Sequence, residues 1–139
     1  MCSYCGCEAE PVIERLMDDH ALISDLIYRI RDALDSGRPG DADSLTARLS
    51  AEFDRHSRSE EAGLFAQLRE AGEAVDEVDD LVADHERLRP ALAQPGPAAD
   101  PDGLRELLSA VTRHAEVEDN DLFPFALQQL PNERWAALA

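Results

Sequence analysis

The sequence predicts an all-α protein, an up-down-up-down four-helix bundle with a short extra C-terminal helix. Glycine and proline cluster in three places, residues 36–43 (SGRPGDAD), 71–72 and 94–103 (QPGPAADPDG), and the long stretches between them are rich in Ala, Leu, Glu and Arg. Within each stretch apolar residues recur at three- and four-residue steps, the stripe that an amphipathic helix buries. Short connections between long helices make sequential helices antiparallel neighbours.

The first helix is expected near residues 10–36, with Pro11 in its first turn and a buried stripe of Ile13, Leu16, Met17, His20, Ile23, Ile27, Ile30 and Leu34. The second, near 44–71, takes Asp43 or Ser44 as N-cap and buries Leu45, Leu49, Phe53, His56, Glu60, Leu64 and Leu68. A third, near 74–93, buries Val75, Val78, Val82, His85, Leu88 and Leu92. The fourth, near 101–129, has Pro101 in its first turn and Leu104, Leu107, Val111, His114, Glu118, Leu122 and Phe125 on its stripe. Pro131 is expected to open a short final helix ending in Trp135.

Length and composition fit one domain over residues 10–139, preceded by a Cys-rich N-terminal tail at 1–9: the 139 residues are 44% hydrophobic, enough for one core without staples. Thirty acidic residues against 13 basic give a formal charge of −17, and every basic residue is arginine. Such a surface repels phosphate, so neither nucleic acid nor an anionic membrane is an expected partner. No apolar run approaches the roughly 20 residues that span a bilayer, and the N-terminus lacks the pattern of a signal peptide, so a cytoplasmic location is expected. Three cysteines within the first seven residues are too few and too crowded for a disulfide framework and read as free thiols.

The four histidines carry the chemistry. Each helix places one of them on its own stripe, which chance would do only roughly three times in a hundred when a stripe covers about three positions in seven. His56 and His114 are each followed four residues later by a glutamate, Glu60 and Glu118, at the spacing that stacks side chains on one helix face. Counting residues from each histidine to the loops leaves mismatches of roughly 5–8 Å at ~1.5 Å per residue, so all four fit one layer. Burying four imidazoles and two carboxylates without a metal would cost several kcal/mol for each charge. Nitrogen and carboxylate donors without thiolate suit iron, manganese or zinc, and six ligands are too many for one tetrahedral zinc but suit two ions bridged by carboxylates. Glu52, one turn before His56 and read as facing inward, and Glu61 are candidates for further ligands.

The segments Asp18-Asp19-His20, His56-Ser57-Arg58-Ser59-Glu60-Glu61 leading to Leu64-Phe65, Asp84-His85-Glu86, and His114-Ala115-Glu116-Val117-Glu118 leading to Leu122-Phe123-Pro124 resemble the hemerythrin-like proteins of the HHE cation-binding group. The resemblance covers nearly all of the chain after residue 10. It implies a non-haem centre of two iron ions inside a four-helix bundle, manganese or zinc being less expected, and members that bind dioxygen, sense oxygen or iron, or handle peroxide and nitric oxide. Oxygen-carrying members supply a fifth histidine one turn from the third-helix histidine, where this chain has Leu81 and Arg89. They also place their last carboxylate five residues after the fourth-helix histidine, at Asp119 here.

The resulting expectation is a redox-active diiron protein that binds or reduces dioxygen, peroxide or nitric oxide in oxidative or nitrosative stress, with a possible redox partner. The alternatives are an oxygen or iron sensor or store without turnover, and a metal-free structural bundle. Cys2, Cys5 and Cys7 read as a free tail, as a thiolate source reaching back to the centre, or as a separate metal site. Tyr28 reads as a core or rim residue and Asp121 as either an orienting group or an exposed one. Asp18, Asp19, Asp84 and Glu86 read as solvated charge beside the histidines.

Overall fold

The computed structural model describes residues 10–138, and the cysteine-rich segment at 1–9 lies outside them. Among the described residues the chain is helical with no strand. Helix α1 spans Pro11–Asp35, and α2 runs from Pro39–Glu60 through a π turn at Glu61–Phe65 into Ala66–Glu70. Helix α3 spans Val75–Leu92. Helix α4 runs from Pro101–Val117 through a second π turn at Glu118–Leu122 into Phe123–Gln129, and α5 spans Asn132–Leu138.

The proline and glycine punctuation does what the sequence suggests, with one displacement. Pro11 and Pro101 occupy first turns, where a missing N–H costs nothing, and the Glu10 and Asp100 side chains cap them by accepting from Val12 N and Gly103 N. Gly37 and Gly72 turn the chain with φ of +67° and +69°, a region closed to most side chains. Helix α2, however, starts at Pro39 rather than near 44. Proline's fixed φ suits a first turn, and the Arg38 guanidinium clips the corner by binding Asp32 and Asp41, each at 2.9 Å. Asp43 therefore lies inside the helix, where its carboxylate accepts from Ala98 N at 2.7 Å and ties the 3₁₀ turn Pro97–Ala99 to α2. Asp43→Ala is expected to cost about 1 kcal/mol in a denaturant melt, the worth of one such bond, while Asp41→Ala in an exposed pair changes stability little.

Two apolar clusters fill the interior. One gathers Ile13, Leu64, Phe65, Val78, Phe123 and Trp135, the other Ile30, Leu49, Phe53, Leu88 and Leu108. On each of α1 to α4 the boundary between them falls at a histidine: His20, His56, His85 and His114 are all buried, as are Glu60 and Glu118. The predicted polar layer is thus the seam between two hydrophobic halves of the core.

The π turns keep that seam in phase. A four-residue step overshoots a helical turn by about 40°, so two in succession, as at His114, Glu118 and Leu122, would rotate the stripe by about 80°. One wider turn, directly after Glu60 and starting at Glu118, absorbs this drift, and π turns recur at functional sites. As a result Phe123, not the expected Phe125, enters the core, and Phe125 is 36% exposed. The stripe position Val75 is exposed, and Tyr28, read as a core or rim residue, lies on the surface at 72%. Helix α5 continues past Trp135 to Leu138, placing the tryptophan mid-helix against the first cluster.

Candidate metal centre

The six residues singled out by spacing converge. Each imidazole aims its Nε2 at the seam: the His20 and His56 Nε2 atoms lie 3.1 Å apart, and those of His85 and His114 lie 3.0 Å apart. Glu118 Oε1 is 3.0 Å from His20 Nε2 and 3.4 Å from His114 Nε2, while Glu60 Oε1 is 3.2 Å from His85 Nε2 and its Oε2 is 3.9 Å from His56 Nε2. Two quartets of donors result, His20, His56, Glu60 and Glu118, and Glu60, His85, His114 and Glu118, with donor atoms within 4.8 Å of one another. Both glutamates belong to both quartets.

The outer ring nitrogens are taken by four carboxylates in a closed cycle. Asp19 of α1 receives His56 of α2 at 2.9 Å, and Glu61 of α2 receives His85 of α3 at 2.7 Å. Asp84 of α3 receives His114 of α4 at 3.0 Å, and Asp119 of α4 receives His20 of α1 at 2.8 Å. An ionised carboxylate only accepts, so every Nδ1 carries a hydrogen and donates it. That arrangement fixes each ring's orientation and leaves each Nε2 free to present a lone pair to the seam. Arginines hold two of these carboxylates from behind, Arg55 on Asp19 at 2.6 Å and Arg89 on Glu61 at 2.7 Å. Rings pack on rings: Phe65 stacks on His85, Phe123 stacks on His20, and Phe53 sets its edge against His85 and His114.

A cation fits this donor set. Both Glu60 carboxylate oxygens and Glu118 Oε2 are buried without a hydrogen-bond partner. Without an ion the groups must share protons. Burial and the neighbouring Glu118 charge push the Glu60 carboxyl well above the usual carboxylate range. Burial and the nearby His114 push His85 down to about 4, so its Nε2 stays a lone pair. Burial would lower His20 too, but Asp119 and Glu118 outweigh it and raise that imidazole to about 9. Cation binding at such a site displaces protons.

Three sequence expectations need correction. Glu52 does not face the centre; it pairs with Arg55 on the outer side of α2. Glu61 touches the back of His85 rather than the quartets. Asp19 and Asp84 are not merely solvated charge, since each serves the histidine of the following helix, whereas Asp18, Glu86 and Asp121 are exposed as the spacing allowed. A signal for the cycle was present in the repeated pairs Asp19-His20 and Asp84-His85, and Glu60-Glu61 and Glu118-Asp119. Asp84→Ala is expected to weaken metal binding by about 10–100-fold in a chelator competition, the usual effect of removing such an orienting group, while Asp18→Ala leaves it unchanged.

Among the described residues no helix is long and apolar enough to cross a membrane. No curated protein and no solved structure matches the chain. Residues 12–126 match the family described as Hemerythrin HHE cation binding domain, a span that contains all four histidines and both glutamates. The chain belongs to the hemerythrin HHE cation-binding family, a metal-binding helical bundle.

Proposed function

We propose that the chain is a non-haem diiron protein that binds or reduces a small ligand, dioxygen, peroxide or nitric oxide, with His20, His56, Glu60, His85, His114 and Glu118 as the metal ligands. The four long helices are read as running up, down, up and down, so that each lends one histidine to a common layer. The observation that carries the proposal is the sharing of Glu60 and Glu118 between two histidine pairs, an arrangement that suits two ions bridged by carboxylates better than one. In this reading bound iron supplies Lewis acidity and electrons to the ligand. The chain's own residues do the rest. The Asp19, Glu61, Asp84 and Asp119 carboxylates hold the imidazoles in the tautomer that offers Nε2. The apolar clusters on either side exclude bulk water from the layer.

Two octahedral ions would offer more positions than four histidines and two glutamates fill, which would leave room for an exogenous ligand. Elemental analysis of protein purified without chelator tests the proposal, with about two irons per chain expected. A single zinc, or no metal even after anaerobic reconstitution with ferrous iron, overturns it. A sensor or store without turnover is separated from an enzyme by mixing the reduced protein with excess peroxide: a reversible spectrum without net consumption marks the former.

A further inference from the structure

A cavity of about 310 Å³ lies where α1, α2 and α5 meet, and Glu60 forms part of its wall. The apolar part of that wall is Val12 and Leu16 of α1, Leu64 of α2 and Leu138 of α5. Its polar part sets Arg15 and Arg55 against Asp18, Asp19 and Glu60, with Ser59 beside them. Asp19 and Arg55 already bind one another, and Asp19 also holds the back of His56. At Gly63 the wall has no side chain at all, and a Cβ placed there would stand 3.5 Å from Leu138 Cδ2, at ordinary contact. Anything longer than alanine at position 63 must therefore occupy the cavity or push Leu138 outward. The Glu60 side chain itself is shielded from water, so the cavity ends against a residue shared by both donor quartets.

We propose that this cavity is the access site of the centre, where a small uncharged ligand lodges before reaching the metal, with Gly63 keeping the passage open and Leu138 as its outer door. The inference rests on the dinuclear reading above and adds where the ligand comes from and what charge it carries. Anions are poorly suited to the cavity. The chain's charge of −17 repels them at a distance. With two arginines against Asp18, Asp19 and Glu60, the wall offers an anion no excess of positive charge. An uncharged diatomic, or undissociated hydrogen peroxide, gives up little hydration on entering. The competing route is a groove of about 290 Å³ along α1 and α4, bordered by His20 and Asp119 and lined by Ile23 and Ile27.

Two measurements test the proposal, one of them independent of metal. Metal-free protein is placed under xenon pressure and the methyl resonances of valine, leucine and isoleucine are followed by NMR, xenon being an uncharged probe of dry apolar space. The methyls of Val12, Leu16, Leu64 and Leu138 are expected to shift, and Gly63→Leu to abolish those shifts. Shifts confined to Ile23 and Ile27 would place access in the other groove and overturn the proposal. The second measurement is nitric oxide association with the reduced, iron-loaded protein in a stopped flow. Gly63→Leu is expected to slow it by about tenfold at unchanged iron content, and Leu138→Ala to speed it, as for ligands gated by a side chain. Leu138→Trp, near the end of the last helix, provides a second plug should Gly63→Leu fail to fold. Plugged variants that associate at the parent's rate refute the passage, whereas a parent protein that holds no iron refutes the dinuclear reading and leaves the xenon result to stand by itself.

Discussion

On the proposed dinuclear reading, Glu60→Gln or Glu118→Gln alone is expected to empty both metal positions, whereas His85→Ala is expected to empty one. The asymmetry follows from membership: each glutamate belongs to both donor quartets, and His85 to only one. Glutamine keeps the shape of glutamate and can still fill the seam, so the helices stay folded while the negative charge and bridging capacity are lost. Elemental analysis beside far-ultraviolet circular dichroism separates the outcomes, with residual iron well below one per chain in the glutamine variants and about one in His85→Ala. Equal losses in all three variants, with helicity intact, would mean that the six residues serve a single ion.

Metal removal should also be felt as stability, and in a direction that depends on the glutamates. The buried Glu60 carboxyl, with neither oxygen hydrogen-bonded, costs the metal-free fold several kcal/mol, whereas Glu118 is held by the imidazoles of His20 and His114. Glu60→Leu is therefore expected to melt higher than the metal-free parent, because leucine fills similar space without a charge. Added iron changes the ranking. An ion present at about a thousand times its dissociation constant stabilises the parent by about 4 kcal/mol, roughly 10–15 °C for a domain of this size, and leaves Glu60→Leu unmoved. Calorimetry with and without a chelator decides the matter, and a parent whose melting temperature ignores the chelator would remove the metal from the account.

Most of this arrangement was legible from spacing. Four histidines on four apolar stripes placed the layer, and the two His-x-x-x-Glu steps named the glutamates, because a helix converts sequence distance into direction with little ambiguity. What escaped was decided by contacts between helices. Asp19 and Asp84 point away from the stripe of their own helix, which is how they reach the histidine of the next one, and no periodicity within one helix contains that information. The early start of α2 was hidden because Gly40 and Pro39 read as loop residues, although the Arg38 bridge and proline's first-turn preference keep them helical. Phe125 and Phe123 exchanged places because a π turn inserts one residue into the count, and neither its occurrence nor its position follows from a regular 3.6-residue period. Glu52 satisfied the period but lost to Arg55, a partner on its own helix.

The donor quartets also describe a relation between the two halves of the chain. The first half, up to the turn at Gly72, supplies His20, His56 and Glu60, and the second half supplies His85, His114 and Glu118. Each half owns a histidine pair but only one of the two glutamates that its pair faces. Neither half can complete a quartet by itself, and the loan runs in both directions at once. The carboxylate cycle closes in the same way, with Glu61 reaching forward across the midpoint to His85 and Asp119 reaching back to His20. A bound ion on either side would therefore act as a rivet between two half-chains, so that occupancy of the centre and the union of the halves become one equilibrium.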